Sequence, residues 1–152
     1  MHSRIFQIDT QKINEDSLID IETAQEYFVD EVSDYVKDDD NIKESISELI
    51  NMLEPHGIIY DKSEKSITFE KGFKKSYFKK SYDNFVKFYK SIDFEAFCVS
   101  LPMNRLVDII SKSNDYYVLY SSGEYDTLDT YIRDNVLDGE KHYIGSIFDY
   151  HK

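Results

Sequence analysis

A chain of 152 residues with 41% hydrophobic and 15% aromatic residues can close one core unaided, which excludes intrinsic disorder and points to a single domain. Its formal net charge of −12 excludes long-range attraction of the whole molecule to nucleic acid and favours cationic partners. One cysteine excludes an internal disulfide, and no apolar stretch approaches the roughly 20 residues of a membrane span.

The charge is partitioned along the chain. Residues 1–54 carry 15 acids and 4 bases, residues 55–92 carry 4 acids and 9 bases, and residues 93–152 carry 11 acids and 5 bases. With 5 glycines and 2 prolines, long elements and short connections are expected. The opening Met1-His-Ser-Arg-Ile5 lacks the basic-then-apolar order of a signal peptide, so a cytoplasmic location is expected.

Arg4–Asp9 is the first strand candidate, and Ile5, Phe6 and Ile8 make it apolar enough for an interior strand. Phe28, Val29, Val32, Tyr35 and Val36 then recur with helical spacing, which predicts a helix over Glu22–Lys37. The β-branched content from Phe28 onward leaves a strand there as the alternative. Asp38-Asp-Asp-Asn41 starts a second helix, in which Ile42, Ile46, Leu49, Ile50 and Leu53 share a face. Pro55-His-Gly57 ends it. Residues 57–61 and 66–70 then read as the two arms of a hairpin.

Residues 72–92 hold one unbroken helical period and most of the cationic charge. On a helical wheel Tyr77, Phe78, Phe85, Phe88 and Ile92 take one side, while Lys75, Lys79, Lys80, Lys87 and Lys90 take the other. This predicts a central core helix with a solvated lysine face. Only Lys74 strays into the aromatic half, and this segregation weighs against a nucleic-acid platform. Cys98 lies in the apolar run Phe94–Leu101 and reads as a buried thiol. Pro102–Lys112 reads as a helix with Pro102 in its first turn, and residues 116–120 as a strand. A short helix over 127–136 and a last strand over 141–149 complete the chain. The expected architecture is α+β: one domain over residues 1–152, with a mixed or antiparallel sheet of about five strands and about five packed helices.

Motifs that carry chemistry are not apparent. His2, His56, His142 and His151 lack metal-pair spacing, and there is no Cys-x-x-Cys. Asp38-Asp-Asp40 lacks the residue order of a calcium loop. Ser121-Ser-Gly123 lacks the upstream glycine of a nucleophile elbow, and no glycine sits in a phosphate-loop context. No catalytic residue, metal or cofactor is therefore expected. The remaining candidate is the acidic set Glu31, Asp34, Asp38, Asp39, Asp40, Glu44 and Glu48.

Gly123-Glu-Tyr-Asp-Thr-Leu-Asp-Thr-Tyr131 resembles a segment of ArdA-type antirestriction proteins. Those are small acidic proteins of mobile elements that mimic DNA in the groove of restriction enzymes. Residues 4–8 and 143–150 resemble unassigned short acidic proteins of phage-like elements. The resemblance implies a non-enzymatic inhibitor, of antirestriction or anti-CRISPR type, whose acidic set blocks a basic, nucleic-acid-binding partner protein. Two alternatives stand beside it. One is an oligomeric binding or scaffold module, such as a homodimer. The other is direct nucleic-acid binding through Lys74, Lys75, Lys79, Lys80 and Lys87.

Overall fold

The computed structural model describes residues 2–99, 103–110 and 114–151. The fold is α+β, with seven strands in one mixed sheet and six α-helices among the described residues. In chain order these are β1 (His2–Asp9), α1 (Ile21–Phe28), β2 (Tyr35–Asp38), α2 (Ile42–Leu53), β3 (Ile58–Asp61), β4 (Ser66–Phe69), α3 (Phe73–Ser91), α4 (Phe94–Val99), α5 (Met103–Ile110), β5 (Tyr117–Leu119), β6 (Tyr125–Thr127), α6 (Leu128–Asn135) and β7 (Lys141–His151).

The sheet is built around β7, its longest strand. One edge of β7 pairs antiparallel with β1, with Ile5 opposite Phe148 and Ile8 opposite Ile144. The other edge serves two strands end to end: β4 pairs at Lys141–Tyr143 and β2 at Phe148–His151. On the far side of β1, β5 pairs in parallel and β6 follows antiparallel. The hairpin β3–β4 closes the opposite edge, as its turn chemistry predicts.

Side chains alternate across the sheet and so feed two apolar clusters. Phe6, Ile8, Ile144 and Ile147 meet Ile46, Leu49 and Leu53 of α2, Phe73 and Tyr77 of α3, and Tyr131 and Ile132 of α6. Ile5, Leu119, Phe148 and Tyr150 meet Ala24 and Phe28 of α1, together with Val36 of β2. Ile144 and Ile147 share a face although they are three apart. A β-bulge accounts for this, because Gly145 and Ser146 together oppose Gln7. The Gln7 side chain is fully buried there. Its Nε2 donates to the Ser17 carbonyl (2.8 Å) and to Ser121 Oγ (3.2 Å). Its Oε1 accepts from the N–H groups of Ile19 and Ser146, both at 3.1 Å.

Four expectations need correction. The helix predicted over Glu22–Lys37 ends at Phe28. Asp20 caps its start through the Thr23 N–H (2.8 Å), but Asp30 adopts a left-handed φ of 69°, and the Phe28 carbonyl accepts from the N–H groups of Val32 and Ser33. Tyr35–Asp38 then forms a strand because the free edge of β7 takes it, with Val36 opposite Tyr150. The helix α3 is central only in part. Phe73, Tyr77 and Phe88 are buried, but Tyr82, Phe85 and Tyr89 are exposed, because beyond its first turns the helix leaves the sheet and packs on α5. Cys98 is exposed, not buried, since no described element covers α4. Finally, β6 was missed. The Pro102–Lys112 helix appears as α5, while Pro102, Ser111 and Lys112 lie outside the described residues. Among the described residues no helix is long and apolar enough to cross a membrane.

Candidate interaction surfaces

The seven acids of the candidate set fall on β2, α2 and the connections that precede each of them. Glu31 and Asp34 lie in the α1–β2 turn, Asp38 ends β2, Asp39 and Asp40 form the junction to α2, and Glu44 and Glu48 lie on α2. Ser45, Ile46 and Leu49 of α2 are buried, which turns Glu44 and Glu48, four residues apart, toward solvent. Glu31, Asp34, Asp38 and Asp40 are also exposed.

Asp39 is the exception. It is buried and faces inward to Arg4, whose Nε lies 3.7 Å from its Oδ2. Its Oδ1 accepts from the Asn41 N–H at 3.1 Å, which shapes the entry to α2. The same Arg4 donates to buried Asp149 through Nη1 (2.8 Å) and to Ser45 Oγ through Nε (2.8 Å). Lys37 reaches both Asp149 (3.6 Å) and Asp40 (3.0 Å). The hydrogen bond to Asp40, and then the charge of Asp40, raise the pKa of Lys37. Asp39 therefore serves the fold, and Asp40 carries a cation of its own. Asp34 lies 3.9 Å from His151 Nδ1, and Glu48 accepts weakly from Tyr116 OH at 3.4 Å. Burial, followed by the charge of Glu48, raises the Tyr116 pKa. Sequence reasoning had no signal for Arg4, because its partners stand 35, 41 and 145 residues away.

The lysines of α3 are arranged differently from the wheel reading. Lys74, Lys75 and Lys79 line a shallow groove together with Phe78 and Tyr82, so aromatic and cationic groups adjoin there. Arg133 of α6 adds its guanidinium 4.7 Å above the Phe78 ring. Two of these cations have partners: Lys74 donates to the Arg133 carbonyl (2.6 Å), and Lys79 pairs with Asp83 (2.5 Å). Lys80 and Lys87 are exposed outside the groove lining.

A small polar cleft of about 170 Å³ opens where the parallel strands β1 and β5 end, lined by Asp9, Thr10, Tyr120, Ser121, Tyr131 and Asn135 among others. The Tyr120 hydroxyl donates to Asp126 (2.8 Å) and accepts from Asn135 Nδ2 (2.9 Å). Burial, then the bond to Asp126, pushes its pKa up, which keeps the phenol protonated. Tyr131 behaves alike: its hydroxyl meets His142 Nδ1, and burial raises its pKa. His142 Nε2 lies 3.1 Å from Glu140. Burial outweighs that carboxylate and lowers the imidazole pKa, so the contact is a hydrogen bond from a neutral ring.

The stretch that resembles ArdA-type proteins has structural duties. Residues 125–127 form β6, Thr127 caps α6 through the Thr130 N–H (3.2 Å), and buried Asp129 accepts from Tyr77 OH (2.6 Å). Among the described residues no three His, Cys, Asp or Glu side chains converge as a metal site would require. Comparison with protein-family models, curated proteins and solved structures finds no match to this chain.

Proposed function

We propose that this chain acts by binding rather than by catalysis, as an acidic inhibitor or decoy that blocks a basic, nucleic-acid-binding surface of a partner protein. The observation that carries the reading is the set of exposed carboxylates Glu31, Asp34, Asp38, Asp40, Glu44 and Glu48, with only two cations, Lys37 and Lys43, in the same stretch of chain. Glu44 and Glu48 supply one charge per ~6 Å of helix axis. Duplex DNA carries one per ~1.7 Å, both strands counted. Likeness to DNA therefore requires Asp34, Asp38 and Asp40 to add to α2; α2 alone offers an electrostatic target without phosphate geometry. The resemblance of residues 123–131 to ArdA-type proteins makes the DNA groove of a restriction enzyme or CRISPR nuclease the first target to try. Capture from host lysate at low and high salt, repeated with Asp38→Lys, Glu44→Lys and Glu48→Lys combined, tests it. Binding lost in that variant and at high salt supports the proposal; capture indifferent to both refutes it.

A second reading rests on the groove of Lys74, Lys75, Phe78, Lys79 and Tyr82, which has the lysine-plus-ring chemistry that grips single strands. An electrophoretic shift of a labelled oligonucleotide at low salt, abolished by Lys75→Glu with Tyr82→Ala, would establish it. The absence of any shift removes it.

A further inference from the structure

The most unusual surface of the molecule belongs to neither set. The C-terminal half of α3, with α4 and α5, exposes rings that a folded chain ordinarily covers: Phe94 is 83% exposed, Tyr89 71%, Phe97 58% and Phe85 36%. Val99 (82%) on α4 and Val107 (53%) on α5 are exposed as well. The four rings line a cleft of about 540 Å³ together with Phe88, Ile92 and Leu106. We propose that two copies of this chain pair through this face, the Phe94 ring of each entering the cleft of the other.

Area, shape and charge favour a second copy as the occupant. At ~150–250 Å² per ring, the exposed fractions of the four rings amount to roughly 400–600 Å². The two valines and the stems of Lys90 and Arg105 bring this toward the ~800 Å² that each partner buries in a standard interface. It already stands at the upper end of the largest apolar patch on an ordinary monomer, about 300–600 Å². A two-fold axis sets the same patch against itself, so an exposed ring that lines the cleft of one copy can pack against the rings that line the cleft of the other. The cleft lining holds one cation and one anion, Lys90 and Asp93. Arg105 spends its charge over the Phe88 ring, 5.7 Å from the centroid. A near-neutral patch on a chain of net charge −12 is where two such chains can meet without repulsion. A strongly basic partner would find little here to pair with. None of these residues belongs to the acidic set, so the proposal stands or falls independently of the inhibitor reading.

Light scattering on a sizing column, from about 1 to 100 μM protein, tests the pairing. The chain weighs 18.0 kDa, and twice that mass is expected at the upper concentrations. Phe94→Asp with Phe97→Asp should return the mass to one chain and remove any rise of the thermal melt with concentration, while at the lowest concentration its melt should match that of the wild type, because both rings are exposed before pairing. Cys98, exposed on α4, gives a second readout: its alkylation should slow as concentration rises in the wild type and stay fast in the variant. A wild-type chain that stays at 18.0 kDa throughout overturns the proposal, including the case in which the face captures a different protein. So does a dimer that persists in the double variant.

Discussion

Replacing Gly145 by alanine tests how the bulge and the loop before α1 hold each other. The backbone at Gly145 is not left-handed, so the substitution carries no conformational penalty of its own. The cost is steric. A Cβ there would stand 2.4 Å from Gln7 Oε1, 2.8 Å from its Cδ and 3.0 Å from Ile13 Cδ1. Gln7 is fully buried and cannot swing to solvent, so its carboxamide must abandon the Ile19 and Ser146 N–H groups. Overpacking costs about 1–3 kcal/mol. The two donors left behind are part-buried, so each adds at most about 1–3 kcal/mol, partly relieved by water and by shifts of the loop. A total near 4 kcal/mol lowers the Tm of a domain this size by ~8–16 °C. Melts followed by circular dichroism should show it, and a double-mutant cycle isolates the cause. With Gln7→Ala already in place there is no carboxamide to displace, so Gly145→Ala should then cost less than half as much. A melt within about 2 °C of wild type, or additivity in the cycle, would refute the reasoning.

Other substitutions probe the rest of the core. Arg4→Ala leaves the buried carboxylates of Asp39 and Asp149 without their main counter-charge, and should cost about 3–5 kcal/mol in urea unfolding; a loss under ~1 kcal/mol would show that Lys37 suffices. Ser66 Oγ is buried with no hydrogen-bond partner among the described residues, so Ser66→Ala should be neutral or stabilising by up to ~1 kcal/mol, and a lowered urea midpoint would contradict this. Burial depresses the His142 imidazole below its unfolded value of about 6.5. The unfolded chain then binds the extra proton, so this stability is fully present above pH 6.5 and is lost as pH falls from there through the folded value. His142→Gln should flatten the fall of the urea midpoint between pH 7.5 and 5.5; an unchanged slope would assign it to the carboxylates.

What the sequence disclosed follows from the range of the interactions. β1, the β3–β4 hairpin, α2 and α6 are set by periodicity and turn chemistry within a few residues, and these emerge as expected. Residues 28–36 carry a helical spacing of Phe28, Val29, Val32 and Val36, yet Val36 joins a strand whose partner lies 114 residues away. β6 spans three residues and offers no alternation to detect. The exposure of Cys98 and of the α4 rings could not be read, because an apolar run says only that something should cover it. The acidic set was legible as composition. That Asp39 belongs inside follows from Arg4, and no local spacing links the two.

The position of β7 constrains how the protein is made. Its 11 residues complete the hydrogen bonding of three other strands at once, and its pairing with β1 spans nearly the whole chain. Until that segment leaves the ribosome, β1, β2 and β4 present open edges with apolar side chains behind them. Synthesis therefore passes through a state in which residues 1–140 are made but the sheet lacks its central strand, and edge-to-edge association then competes with folding.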